Sequence, residues 1–235
     1  SASITPPTGD NRDRCKQFLS EIFMRKELKF LFITLFFSTV SISIGAQNSK
    51  TYKLKADFEY PSEKEKYEMW VFQGIKKLNF TLENDSTLIN KDFKILIREY
   101  ENGKLKQETL VIDTKDEPRL PKINSDFGFN LYAQNLLNYE KVAFIFDRFS
   151  NKKSFKIKEI FNDGDFSLRQ INVGKDHLDF RLNEPFQIAL ITPPNRNPSN
   201  GELGYCQVSQ GGIEIDKWYD QYKIPQFFLI YLEIG

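Results

Sequence analysis

A chain of 235 residues with 33 Lys+Arg against 32 Asp+Glu gives no electrostatic basis for a nucleic-acid partner, which wants a clustered basic face. Its single histidine excludes zinc sites built from several imidazoles. With only two cysteines, Cys15 and Cys206, and Cys15 in a segment expected to be lost, no intramolecular disulfide is expected.

Residues 1–23 are polar at their start and show no stable periodicity, and read as a leader outside the natural start at Met24. Residues 24–46 have the three zones of a secretory signal peptide. Arg25, Lys26 and Lys29 form a basic head, an apolar stretch runs from Phe30 to Ile44, and Gly45-Ala46 supplies small residues for cleavage. The competing reading is a retained membrane anchor. A spanning helix wants ~20 predominantly apolar residues, and this run is shorter and holds Thr34, Ser38, Thr39, Ser41 and Ser43. The expected location is therefore extracytoplasmic: periplasmic, on the outer surface or secreted. Membrane contact is expected only through an uncleaved signal. The remaining residues 47–235 carry 27 Lys+Arg against 28 Asp+Glu and are enough for a self-sufficient core.

Residues 51–60 and 78–83 alternate as strands. Between them, Ser62 and Glu65 have the spacing of a helix capping box, but KYEMWVFQGI fits either helical or strand period. Residues 93–112 form the clearest element, a hairpin about Asn102-Gly103, since a two-residue type I′ turn needs positive φ at both central positions. Folding about that turn sets Glu101 opposite Lys104, Glu99 opposite Lys106, Ile95 opposite Leu110 and Phe93 opposite Ile112, with an apolar base and a solvated, charged tip. Residues 131–139 are expected to hold a short helical turn. A second hairpin over 142–160, turning at Asn151-Lys152, sets Phe146 opposite Ile157 and Asp147 opposite Lys156.

Further strands are expected at 177–182, which alternates strictly, and at 186–191, ended by Pro193-Pro194. Asp216 is placed to cap a short helix carrying Trp218, Tyr219 and Tyr222, stopped at Pro225. The last strand, 227–234, is almost continuously apolar, as a strand covered on both faces should be. Many short strands without βαβ alternation give a mostly β fold, an antiparallel β-sandwich with one to three short helices. The spacing fits one jelly-roll-like sandwich or two smaller immunoglobulin-like ones equally.

The chain has no Cys-x-x-Cys, His-Glu-x-x-His, Gly-x-Ser-x-Gly or phosphate-loop spacing. Asp163 and Asp165 lack the further oxygen ligands of a calcium loop, so no metal site and no cofactor are expected. One nucleophilic arrangement is conceivable, Cys206 with His177 as base and Asp179 to orient the imidazole. The plainer account makes His177 an exposed strand residue and Cys206 a small buried hydrophobe. Trp218, Tyr219, Tyr222 and Trp70 could stack on a sugar or anchor a protein, or simply close the core. The loop 192–204, rich in Pro, Asn and Gly, could carry recognition or only connect. The sequence thus points to an exported, non-enzymatic module binding a protein or glycan. The alternatives are a hydrolase with paired carboxylates and a structural subunit assembled by edge-strand pairing.

Overall fold

Among the described residues, alternating side chains form eleven strands, which a computed structural model arranges as two antiparallel sheets. It describes residues 50–157, 166–171, 176–193 and 215–235. The first sheet, sheet A, contains β1 (Tyr52–Phe58), β2 (Ile75–Leu82), β5 (Gly128–Leu136), β6 (Tyr139–Ile145), β7 (Ser150–Lys156) and β9 (His177–Phe180), in the order β7-β6-β5-β2-β1-β9. Sheet B contains β3 (Phe93–Glu101), β4 (Lys104–Asp113), β8 (Ser167–Gln170), β10 (Phe186–Thr192) and β11 (Gln226–Ile234), in the order β4-β3-β11-β10-β8. Helix α1 (Lys64–Phe72) links β1 to β2, and α2 (Ile215–Tyr222) precedes β11. The expected antiparallel β-sandwich with few short helices is what forms.

The inner faces share one hydrophobic cluster in which Leu54, Leu78, Phe80, Leu131 and Phe144 of sheet A meet Ile95, Ile97, Phe228 and Ile230 of sheet B. Gln170 Nε2 donates to Ala56 O across the two sheets. The apolar run of β11 lies at the centre of sheet B. Phe228, Ile230 and Leu232 enter the shared core, while Phe227, Leu229 and Tyr231 face the other way into a second cluster with Trp218 and Ile224. That is the two-sided burial expected of this strand.

The first hairpin turns where expected, with Asn102 at φ 50° and Gly103 at φ 77°, and Glu101 is paired with Lys104. Beyond the tip the expected register fails. Bulges at Lys106 and Val111 each add a residue to β4, so Leu96 meets Leu110, Ile95 meets Ile112 and Phe93 bonds to Thr114. Leu110 is consequently exposed, whereas Glu99 is buried between Lys106 Nζ at 2.6 Å and Gln226 Nε2 at 2.7 Å.

The second hairpin turns at Asp147-Arg148 instead of Asn151-Lys152, and Ile145 pairs with Ser150, Phe144 with Asn151 and Tyr139 with Lys156. Phe146 and Phe149 stack across that turn at 4.4 Å and 4°. The expected helical turn at 131–139 is also overturned. Leu131 and Ala133 are inward residues of β5, which passes into β6 through Leu137-Asn138. Helix α1 forms without the capping box, because no side chain caps its start at Glu63. It ends on Gly74 at φ 65°. Asp216 lies within α2 and not at its cap. Strand β9 stops at Phe180, leaving Leu182 in a turn.

Candidate functional site

The pleat of sheet A sends Leu78, Phe80, Leu131 and Ala133 into the core and turns Lys77, Asn79, Asn130, Tyr132 and Gln134 outward. Helix α1 lies over part of this outward face. Its Trp70 ring meets the Tyr132 ring edge-on at 5.7 Å, and Gln134 Nε2 donates to Gln73 O at 3.0 Å. Beneath it Lys77 is only 8% exposed, its Nζ 2.6 Å from Glu59 Oε2 and 5.6 Å from the Tyr132 centroid.

A strip of exposed aromatic rings runs beside this contact. Phe58 and Tyr60 stack at 6.4 Å and 15°, and Tyr60 meets Tyr67 edge-on at 6.0 Å. Phe58, Tyr60 and Tyr67 are all exposed. On the outward pleat Thr81 Oγ1 donates to Asn79 Oδ1 at 3.1 Å and Asn79 Nδ2 to Asn130 Oδ1 at 2.9 Å, whereas Phe58 is paired with the inward Leu78 and lies on the other side of the strand. Amides and hydroxyls carry more donors and acceptors than these bonds use. The Trp70 and Tyr132 rings therefore share the outward face with side chains able to form directed hydrogen bonds.

Trp70 is the one expected aromatic site residue that belongs to this face. Trp218 is 3% exposed and packs edge-on against Phe227 at 4.3 Å, with Tyr222 at 6.3 Å, on the outer side of sheet B. Tyr219 is half-buried beside the Asn102-Gly103 turn, where a Cβ on Gly103 would stand 3.2 Å from its own Cβ. The four aromatic candidates therefore divide between two sheets. Phe58, Tyr60, Tyr67 and Tyr132 were missed by the sequence reading. The signal of the first three was the density of aromatics among charged residues in DFEYPSEKEKYEMW, where a core segment would carry aliphatics; Tyr132 lies in β5 and had no such signal.

His177 and Asp179 do come together, Nε2 to Oδ1 at 3.4 Å, but on the outward side of edge strand β9, in register with Lys55 and Lys53. Cys206 lies outside the described residues, as do Asp163, Asp165 and nearly all of the 192–204 loop. Among the described residues, no three His, Cys, Asp or Glu side chains gather as a metal site.

Two clefts open at the end of the sandwich where Phe93 begins β3. One, of about 210 Å³, is lined by Asp92, Lys94, Asp113, Lys115, Asn183 and Glu233. The other, of about 190 Å³, has a floor of Phe93, Phe127 and Phe146 and a rim including Lys122 and Arg148. Lys122 Nζ reaches Asp92 Oδ2 at 2.9 Å. The hydrogen bond from Lys122, and then that from Thr114, holds the Asp92 carboxyl below the usual carboxylate range.

Compared with known protein families, with characterised proteins and with solved structures, the chain matches none. No helix among the described residues is long and apolar enough to cross a membrane.

Proposed function

We propose that this chain is an exported, non-enzymatic binding module that recognises a glycan on the outer face of sheet A. The observation that carries the reading is the Trp70–Tyr132 ring pair on the same outward pleat as the Thr81–Asn79–Asn130 hydrogen-bond chain, with exposed Tyr67 on α1 and Tyr60 edge-on to it. Sugar rings offer apolar C–H faces to aromatic rings and equatorial hydroxyls to amides, so this pairing of chemistries suits a carbohydrate.

The hydrolase alternative has less support. A carboxylate pair divides its labour by raising one pKa at the site of the substrate. In the acidic end cleft Asp92 is shifted the other way. Among the described residues the carboxyl that is raised, Glu140, is buried in sheet A and lines neither cleft. Assembly through edge strands is disfavoured at β7, whose Lys152, Lys153 and Lys156 are the kind of residue that blunts a sheet edge.

The test is a glycan array followed by calorimetry on the best hit. Tyr60→Ala and Tyr67→Ala should each weaken binding by several-fold and Trp70→Ala by about tenfold, with melting transitions of the two tyrosine variants unchanged. Retained affinity in all three, or no glycan bound at all, refutes the reading.

A further inference from the structure

We propose that the β5–β6 tip and the C-terminal end of α1 dock this protein onto an anionic phospholipid surface. The inference is independent of the glycan reading and rests on different residues. Helix α1 has no buried residue, yet it displays Met69, Val71 and Phe72. Phe72 is 87% exposed, and Leu137, on the neighbouring hairpin tip, is 77% exposed between the exposed Leu136 and Tyr139. The Gln134–Gln73 hydrogen bond ties the helix end to β5, so both apolar tips belong to one end of the outer face.

Leu137 is costly in two respects. Its φ of 53° crowds a Cβ that Gly lacks and that Asn tolerates better, and its side chain gains no burial in return. A bulky apolar residue held at a strained, solvated turn points to a surface that receives it.

Charge selects the surface. The outward positions of β6 and β7 are Tyr139, Lys141, Ala143, Ile145, Ser150, Lys152, Ser154 and Lys156, which include three exposed lysines and no carboxylate. Glu140 on the same strand is turned inward and buried. The acidic residues of α1, Glu65 and Glu68, lie in its first five positions, Glu68 3.7 Å from Lys64. A basic face repels a second copy of itself. A protein partner, for its part, prefers a concave seat for its anchors. The two described clefts are lined by residues around Phe93, at other positions. Protruding apolar tips flanked by lysines suit a soft interface bearing negative headgroups.

Hydrogen exchange on the full chain tests this, with phosphatidylcholine vesicles compared against vesicles containing one part phosphatidylglycerol in four. Any attachment through the apolar run 30–44 would act on both compositions alike, so the pure phosphatidylcholine sample controls for it. Exchange across 64–73 and 134–141 should slow several-fold on the anionic vesicles only. The double variant Phe72→Ser, Leu137→Asn should lose most of that several-fold protection. Asn accepts the turn conformation, so the fold is kept. Lys141→Glu with Lys156→Glu should abolish the dependence on phosphatidylglycerol. Equal slowing on both compositions, no slowing on either, or slowing that survives both variants overturns the proposal. Because Tyr60 and Tyr67 are intact throughout, glycan binding stays a separate readout.

Discussion

Glu140 is the residue whose chemistry most conflicts with its position. It sits in β6 between Asn135 of β5 and Phe155 of β7, inward and 1% exposed. Burial pushes its carboxyl from the ordinary 4.5 up to about 8, against a small opposing effect of the Asn135 Nδ2 hydrogen bond at 3.4 Å. The folded protein therefore keeps a proton there that the unfolded chain gives up near pH 4.5. Below that pH both states are protonated and Glu140 costs nothing extra. As pH rises toward 8 the unfolded state alone ionises, so stability falls, and above 8 the loss is complete. At roughly 1.4 kcal/mol per pH unit the full loss is on the order of 5 kcal/mol. Glu140→Gln keeps the shape and the Asn135 contact without the titration. Urea denaturation of parent and variant at intervals from pH 4.5 to 9 checks this. The variant's advantage should grow through that window, by several kcal/mol in all, and level off beyond pH 8. Parallel stability profiles would mean that the carboxyl titrates normally and that the burial argument is wrong.

Two substitutions test the packing account. Trp218→Ala should cost about 3–5 kcal/mol, as large aromatic deletions from cores do, because the indole fills the space between α2 and Phe227. A loss below about 1 kcal/mol in chemical denaturation would return Trp218 to the list of surface aromatics. Gly128→Ala should cost about 1–3 kcal/mol, since the added Cβ would stand 2.7 Å from the Phe80 carbonyl oxygen in the paired strand. An unchanged denaturation midpoint would show that β2 and β5 can separate there without cost.

What the sequence made legible depended on whether a residue's type answers to one local cause. Asn102-Gly103 demands positive φ, and the turn and its Glu101–Lys104 pair form as expected. Likewise the apolar run of β11 demanded cover on both faces, and it has it. The bulges at Lys106 and Val111 have no such signature. A bulge inserts an ordinary residue, and each insertion changes every pair beyond it, so a register extrapolated from the tip failed by two residues at Phe93. In the second hairpin the segment SNKKSFK has a single aromatic to mark its inner face. So little inward patterning leaves the Asn151-Lys152 expectation unopposed, and what favours the Asp147-Arg148 turn is the stacking of Phe146 on Phe149 across it. Residues 131–139 misled for a related reason. Their strand is half-buried, with Tyr132, Gln134 and Leu136 outward, and an amphipathic strand of mixed composition imitates one turn of helix.

The same reasoning explains why the candidate surface was nearly invisible from sequence. Trp70 and Trp218 are alike in the sequence, each among tyrosines and charges, yet Trp218 is core and Trp70 covers Tyr132 on the opposite sheet. The difference comes from what lies beneath each helix. Under α2 the outward side chains of sheet B are Leu96, Leu190, Phe227 and Leu229, which an apolar helix face must cover. Under α1 the outward side chains of sheet A are Lys77 and Gln134 beside Tyr132, which give an apolar helix face little to bury against beyond the Trp70–Tyr132 contact. Short helices draw most of their stability from tertiary packing. A helix seated on a polar sheet while presenting Tyr67, Met69, Val71 and Phe72 to solvent is therefore a poor bargain for the fold alone. Its apolar surface is better explained by what it meets outside the chain, and the glycan and lipid experiments above both ask that question of the same helix with different residues.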